Sequence, residues 1–134
     1  MKATILLLAS IVIIMVVACS KSTPVDKDLT IPLGDCKMVS GASIELCYDS
    51  LITDSRCPIN MACIWSGVGE AQFSFHVNNQ KHTITLATNN FGHWKKDTTV
   101  AGYTFELLEL NPYPMYPAPQ PPVSRSAKVH VTRR

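Results

Sequence analysis

The sequence predicts an all-β fold, a small antiparallel β-sandwich or barrel-like domain that is stapled by disulfides. After residue 30, apolar and polar residues alternate at every second position in several short segments, and no long stretch shows a helical period. Four cysteines lie in the same part of the chain, behind a leader that predicts export to an oxidising compartment. The expected core is modest, so we expect disulfides to contribute to stability.

The N-terminal segment predicts a lipoprotein signal. Lys2 precedes an apolar run of 16 residues (3–18), which is shorter than the ~20 residues that a membrane-spanning helix needs. The run ends in Val16-Val17-Ala18-Cys19, which resembles the lipobox of bacterial lipoproteins, where cleavage precedes a lipidated cysteine. We therefore expect residues 1–18 to be a signal peptide and Cys19 to carry a membrane anchor. An ordinary signal peptide that contains a cysteine and an uncleaved anchor are the alternatives.

Cleavage before Cys19 leaves 116 residues, the size of one domain. Residues 19–30 are polar and without periodicity, which predicts a flexible tether, and residues 31–134 form the predicted domain. A formal charge of +2 for the whole chain indicates no surface for nucleic acid. Ser20 after the cysteine resembles the outer-membrane sorting signal of some Gram-negative bacteria. We expect a location in the cell envelope at the outer membrane, on either its periplasmic or its surface face.

The strand pattern is clearest around one turn. Residues 71–77 alternate strictly, Asn78-Asn79-Gln80 predicts a tight turn, and residues 82–87 return as the second strand of a hairpin. Other strands are predicted at 31–33 with 36–39, at 44–48, near Trp94, at 103–107 and at 127–131. The predicted core consists of Leu46, Tyr48, Phe73, Phe75, Val77, Ile84, Leu86, Tyr103, Phe105, Leu107, Val129 and Val131.

Four cysteines allow three connectivities, and we expect Cys57–Cys63 together with Cys36–Cys47. Cys57 and Cys63 enclose five residues that include a proline and an asparagine, which favour a turn. Cys36 and Cys47 lie on neighbouring predicted strands, and Cys47 alternates with core positions, so this bridge should lie on the outer face. The spacing fits neither a zinc site with four thiolates nor a redox pair with two intervening residues.

The segment D-S-R-C-P-I-N-M-A-C-I-W-S-G at 54–67 has a structural and a functional interpretation. Structurally, Asp54 can accept backbone N–H groups across the turn, while Arg56 can lie over Trp65 or pair with Asp54. Functionally, Arg56 and Trp65 would form an exposed anchor for a partner, because both residue types are frequent at binding hot spots.

The segment N-P-Y-P-M-Y-P-A-P-Q-P-P at 111–122 contains six of the nine prolines, which predicts a stiff, extended loop. Tyr113, Met115 and Tyr116 could form a recognition surface there, because a pre-ordered backbone loses little entropy on binding. The candidate binding surface of the whole chain therefore comprises Asp54, Arg56, Trp65, Tyr113 and Tyr116.

The signature D-S-R-C-P-x4-C-x-W-x-G resembles that of an uncharacterised family of bacterial secreted proteins and lipoproteins. The resemblance extends over residues 31–134 and includes Pro112-Tyr113-Pro114 as well as the signature itself. It implies the fold and an exported location, and it implies no particular activity. The chain departs from the family pattern in its Cys36/Cys47 pair and in Ser66, where a small apolar residue is usual. The signature residues are Asp54, Ser55, Arg56, Cys57, Pro58, Cys63, Trp65 and Gly67.

No catalytic motif is found in the sequence. There is no G-x-S-x-G turn, P-loop or dinucleotide fingerprint, and the ten acidic residues are scattered mostly at the ends of predicted strands. We therefore predict no enzyme activity, no catalytic residue and no cofactor. His76 and His82 are expected on the outward phase of paired strands, but no third ligand follows at a motif spacing, so we predict no metal site.

The sequence thus predicts a lipid-anchored envelope protein that serves as a non-enzymatic binding or structural module. Its predicted partners are the membrane, through the lipid on Cys19, and an envelope protein of unknown identity. One alternative is a small-ligand, metal or carbohydrate site in the sandwich, with or without hydrolytic activity. Another is inhibition of a protease by the Cys57–Cys63 loop.

Overall fold

The structure, a computed structural model, describes residues 24–134, which form two antiparallel four-stranded sheets. The first sheet has the strand order β1-β8-β7-β6 and the second has the order β2-β3-β4-β5, so the all-β sandwich is confirmed. Within residues 24–134 no helix is long and apolar enough to cross a membrane. The strands are β1 (Val25–Pro32), β2 (Cys36–Met38), β3 (Glu45–Asp54), β4 (Gly69–Val77), β5 (Gln80–Ala87), β6 (Asp97–Val100), β7 (Tyr103–Asn111) and β8 (Ser126–Arg133).

The alternating residues of the strands fill the space between the two sheets. Eleven of the twelve predicted core residues are buried, and Val77 is partly buried against them. Phe75 on β4 meets Phe105 on β7 with 4.6 Å between ring centroids, so the two sheets pack directly on each other.

Strand β1 corrects the predicted domain boundary. The tether was expected to extend to residue 30, but β1 begins at Val25 and pairs with β8 along all eight of its residues. The charged residues Asp26, Lys27 and Asp28 interrupt the apolar alternation, so this strand is not apparent from the sequence. They can be accommodated because β1 is an edge strand, held to β8 by backbone hydrogen bonds that do not depend on apolar side chains. The short strand expected near Trp94 lies slightly later, at Asp97–Val100.

The two ends of the sandwich are built differently. At one end, here called the short-turn end, Asn78-Asn79 and Ala101-Gly102 form two-residue turns in which all four residues have positive φ. At the other, the loop end, three longer connections meet, and they comprise residues 55–68, 88–96 and 112–125. The register brings them together, because Asp54 pairs with Gly69, Glu70 with Ala87, and Asn111 with Ser126.

Both predicted disulfides are present. Cys36 and Cys47 lie directly opposite each other on β2 and β3, on the face of β3 opposite to Leu46 and Tyr48, as the alternation predicted. Cys57 and Cys63 close a seven-residue ring within the β3–β4 loop at the loop end.

Candidate functional site

Arg56 is the hub of the loop end. Its side chain is only 6% exposed, and its Nε and Nη2 donate to the two carboxylate oxygens of Asp54 at 2.7 and 2.8 Å. Its Nη1 donates to the carbonyl oxygen of Leu110 at 2.8 Å, and Nη2 also reaches that of Pro112 at 3.3 Å. One guanidinium therefore joins the end of β3 to the end of β7 and the start of the proline-rich loop, across the two sheets.

The pairing of Arg56 with Asp54 is one of the two arrangements that the sequence allowed. The other arrangement was wrong, because the aromatic ring over the guanidinium belongs to Tyr113, with 4.5 Å from the guanidinium carbon to the ring centroid. The expectation that Arg56 forms an exposed anchor was also wrong, since Arg56 is buried and Asp54 nearly so. A charged pair tolerates burial when its hydrogen bonds are satisfied, as they are here.

Gly67 allows the β3–β4 loop to close at its neck. Its φ is +65°, and a Cβ at this position would lie 1.9 Å from the carbonyl oxygen of Ser55. Beside it, Ser55 N donates to Val68 O at 2.8 Å and Val68 N donates to Ser55 Oγ at 3.1 Å. The loop thus leaves and re-enters the sheet through a contact that only glycine permits.

The Cys57–Cys63 ring is bound to the proline-rich loop by backbone and side-chain hydrogen bonds. Ile59 N donates to Pro114 O at 2.9 Å, and Asn60 Oδ1 accepts from Tyr116 N at 3.0 Å. Asn60 Nδ2 also donates to Tyr116 O, so one asparagine side chain binds both backbone groups of Tyr116. We call the exposed apolar surface that results the disulfide–proline surface; it consists of Ile59, Met61, Tyr113, Met115 and Tyr116.

A second feature of the loop end is the aromatic cleft, with a volume of about 690 Å³. Trp65 is 59% exposed and Phe91 is 73% exposed, while Trp94 is half-buried beside Phe91, with ring centroids 6.5 Å apart. Asn89 Nδ2 donates to Gly67 O at 3.0 Å, a hydrogen bond that joins the 88–96 loop to the 55–68 loop. The cleft is lined by Ser55, Ile64, Trp65, Ser66, Gly67, Val68, Asn89, Phe91 and Trp94.

Exposed apolar side chains are concentrated at this end. Twelve large hydrophobic residues are exposed in the described chain, and nine of them lie on the three loops, whereas Leu33, Met38 and Ile52 lie outside these loops. Clustered exposed apolar side chains indicate an interaction surface, whereas single ones scattered over a protein surface are ordinary. The nine on the three loops are Ile59, Met61, Ile64, Trp65, Phe91, Tyr113, Met115, Tyr116 and Val123.

The five residues of the predicted binding surface divide among these features. Asp54 and Arg56 form the buried hub, Tyr113 covers it, Tyr116 lies on the disulfide–proline surface, and Trp65 lines the aromatic cleft. Sequence reasoning missed Asn60, Asn89 and Phe91, which complete the two surfaces. For the cleft, an available signal was the aromatic pair F-x-x-W at 91–94 within a polar connection.

The histidines do not converge. His82 was expected on the outward phase, but it pairs with Phe75 and stacks on that ring at 5.2 Å, which places it on the inward phase, while His76 is exposed. Among residues 24–134, the one grouping of potential metal ligands is Cys36, Glu45 and Cys47, whose two sulfurs are joined in a disulfide.

Among the groups of residues 24–134, Asp28 and Tyr48 have shifted pKa values. The hydrogen bond from His130, at 2.7 Å, and then the contact with Lys128 lower the pKa of the Asp28 carboxyl. Burial raises the pKa of the Tyr48 phenol, whose hydroxyl has no hydrogen-bond partner among the described residues. Neither group lies in the aromatic cleft or on the disulfide–proline surface.

No protein-family model, curated protein or solved structure matches this chain. The resemblance to the secreted and lipoprotein family therefore stays a prediction from the signature residues.

Proposed function

We propose that this protein is a non-enzymatic binding module of the bacterial cell envelope, anchored through a lipid on Cys19, whose disulfide–proline surface binds a protein partner. The observation that carries the proposal is the rigid, exposed apolar surface that two loops form together, although they are more than fifty residues apart in sequence. Location and anchoring rest on the lipobox and on the two disulfides, which suit an oxidising compartment.

Rigidity makes this surface suitable for binding. A flexible loop loses conformational freedom when a partner orders it, at a cost of about 0.5–1.5 kcal/mol per immobilised side chain. Here the Cys57–Cys63 bridge, the Ile59–Pro114 hydrogen bond and the Asn60 side chain already hold the backbone. Tyrosine and methionine are enriched in the cores of protein interfaces, and both are exposed on this surface.

The position of β1 supports recognition away from the anchoring membrane. Val25 pairs with Arg133 at the short-turn end, whereas Pro32 pairs with Ser126 at the loop end, one strand length or about 23 Å away. A lipid on Cys19 would be joined to Val25 by six residue steps, which span at most about 22 Å. The described chain therefore begins at the short-turn end, opposite the disulfide–proline surface, which suits a partner that approaches from the side away from the proposed anchor.

Site-specific photo-crosslinking in cells tests the binding surface. We expect a photoreactive residue at Met115 to yield a discrete crosslinked protein, and the same residue at Met38 to yield none. Met38 is a matched control because it is a similarly exposed methionine on β2, outside the three loops. Equal crosslinking from both positions would contradict the proposal.

Tyr116→Ala separates recognition from loop structure. The backbone of Tyr116, not its side chain, makes the hydrogen bonds to Asn60, so the substitution removes apolar surface and leaves those bonds in place. We expect the Met115 crosslink to be lost and the thermal unfolding midpoint to stay unchanged. A retained crosslink would show that the partner does not contact this surface.

Cell fractionation tests the anchor. Because the proposed lipid is attached to one thiol, Cys19→Ala should release the protein from the membrane fraction. Membrane association that survives this substitution would refute lipid anchoring, and it would leave the crosslinking result as an independent measure of partner binding.

A further inference from the structure

The two sheets of residues 24–134 have four edge strands, and three of them are protected against pairing with another strand. Strands β2 and β6 are only three and four residues long. Strand β1 is longer, but residues 26–28 are all charged and the strand ends in Pro32. Short length, charges and proline are features that keep a sheet edge from pairing with further strands. Strand β5 is the exception, because its eight residues include a single lysine, Lys81, no acidic residue and no proline.

The backbone groups of β5 point alternately toward β4 and toward the open edge. Val77 and Gln80 flank a two-residue turn, so they form the hydrogen-bonded pair that closes the hairpin. From Gln80 onward, every second residue therefore bonds to β4, and residues 81, 83, 85 and 87 direct their N–H and C=O groups to the other side. Ala87 confirms this phase, because its N–H donates to Lys95 O at 2.8 Å, outside the sheet.

Three residues of this edge have no backbone partner on their outer side. Within residues 24–134, no backbone group bonds to the outward N–H and C=O groups of Lys81, Thr83 and Thr85. The side chains of these residues are exposed, and β5 pairs with β4 over its full length without a register shift. The open edge therefore presents its N–H and C=O groups at the regular spacing of a β ladder. The occupant that matches this spacing is another extended strand.

The open edge is complementary to itself. In an antiparallel pairing of two β5 strands about a two-fold axis at Thr83, Thr83 lies opposite Thr83 of the second copy and Lys81 lies opposite Thr85. All the open groups are then paired, and no two lysines face each other. A flexible segment of another protein would lose conformational freedom on pairing, whereas β5 of a second copy is already extended. We propose that β5 joins two copies of this protein into a dimer with one continuous sheet.

The dimer goes beyond the proposed function and is compatible with it. The two-fold axis is perpendicular to the joined sheet, so both sheets that contain β1 lie on the same side of it, and both tethers leave from one face of the dimer. The two loop ends lie at opposite ends of the joined sheet, because the paired strands run antiparallel. No residue of the disulfide–proline surface lies on β5, so both copies of that surface stay accessible.

Cysteine crosslinking of the full-length protein in intact cells tests the register. In the proposed pairing the two Thr83 Cα atoms are about 5.5 Å apart, within the disulfide range of roughly 4.4–6.8 Å. Thr83→Cys should therefore give a covalent dimer on a non-reducing gel. Thr85→Cys is the matched control and should give none, because the two Thr85 residues are offset along the strands by about 14 Å. Co-expression of Lys81→Cys with Thr85→Cys should restore the covalent dimer.

Aspartate substitutions measure the same pairing in the purified full-length protein, by sedimentation equilibrium in detergent. The unmodified protein should form a reversible dimer as its concentration rises. Thr83→Asp places two carboxylates opposite each other and should weaken dimerisation about fivefold. Thr85→Asp places a carboxylate opposite Lys81 and should not weaken it. Both side chains are exposed on the same face of β5, so the two variants should have the same thermal unfolding midpoint.

Several results would overturn the proposed dimer. They are a monomer at every concentration, equal dimerisation of Thr83→Asp and Thr85→Asp, and equal crosslinking from Thr83→Cys and Thr85→Cys. A disulfide between Thr83→Cys and a different protein would overturn it in favour of a foreign strand at this edge. If either aspartate variant lowers the unfolding midpoint, the crosslinking result decides alone. None of these outcomes bears on the Met115 crosslink, so the two proposals can fail separately.

Discussion

The two ends of the sandwich differ in what determines their conformation. In the two tight hairpins of the short-turn end, the φ angles of two adjacent residues decide the turn, at Asn78-Asn79 and at Ala101-Gly102. At the loop end, the conformation depends on contacts between residues far apart in sequence, such as Arg56 with Leu110 and Asn60 with Tyr116. The long loops need such contacts, because they have no strand partner for their backbone groups.

The two ends also differ in how many large hydrophobic side chains they expose. Nine of the twelve exposed large hydrophobic residues in the described chain lie on the loop end. The long-range contacts keep these side chains in fixed positions at the surface, where a partner can bind them without first ordering them. The buried hub therefore holds in place the loops that carry the proposed binding surface.

The largest effect should come from breaking this hub. Arg56→Ala leaves the buried Asp54 carboxylate unpaired and two carbonyl groups without their donor, so we expect it to lower the free energy of unfolding by about 3–5 kcal/mol. Chemical denaturation measures this change. Arg125→Ala is the matched control, because the Arg125 side chain is 41% exposed and its Nη1 lies 3.7 Å from Asp54 Oδ2; it should cost less than about 1 kcal/mol. Equal losses of unfolding free energy in the two variants would show that the buried Arg56 contributes no more to stability than Arg125 does.

Gly67→Ala tests the neck of the β3–β4 loop. The left-handed backbone costs about 1–2 kcal/mol for alanine, and the clash of its Cβ with Ser55 O adds about 1–3 kcal/mol. Gly102 at the short-turn end has a similar φ of +81°, but no atom lies within 4 Å of the Cβ that alanine would add. The loss of stability in Gly102→Ala should therefore come from the left-handed backbone alone. If thermal unfolding gives the same loss for both variants, the close approach at Gly67 is not energetically important.

The disulfides compare the two ends in another way. Replacing either pair by alanine should lower the free energy of unfolding by about 2–3 kcal/mol, because the closed loops are of similar size, with sequence separations of 6 and 11. Hydrogen exchange should separate them. Loss of Cys57–Cys63 should increase exchange at Ile59 and Tyr116, whereas loss of Cys36–Cys47 should leave exchange there unchanged. Equal exchange in both variants would contradict a local role for the first bridge.

The smallest effect concerns the exposed ion pairs of β1 and β8, which contrast with the buried pair at the hub. The pKa of Asp28 is lowered by His130 and Lys128, so the stability that Asp28 contributes is present above its unfolded pKa and is lost as pH falls through the folded value. Thermal unfolding of Asp28→Asn should therefore differ slightly from that of the unmodified protein near neutral pH and converge with it in acid. A difference that persists or grows at low pH would exclude this linkage.

Much of the fold could be predicted from the sequence because its signals are local. Alternation identified the strands that carry Phe73, Phe105 and Val129, and the pairing of the cysteines followed from their spacing and the strand positions. The same reasoning missed residues 25–30, which are six of the eight residues of β1. An edge strand rich in charges has the composition of a linker, and only its pairing with β8 distinguishes the two.

The candidate sites were less predictable, because they depend on which loops meet. The sequence by itself determined the all-β architecture, the two disulfides and most of the core, since these follow from side-chain alternation and short-range spacing. Only the tertiary structure placed Arg56 inside, covered it with Tyr113, and left Trp65 to line a cleft with Phe91 and Trp94. The physical reason is that a guanidinium is buried only where carboxylate and carbonyl oxygens satisfy its donors, and the carbonyl groups that do so here are Leu110 and Pro112, more than fifty residues away.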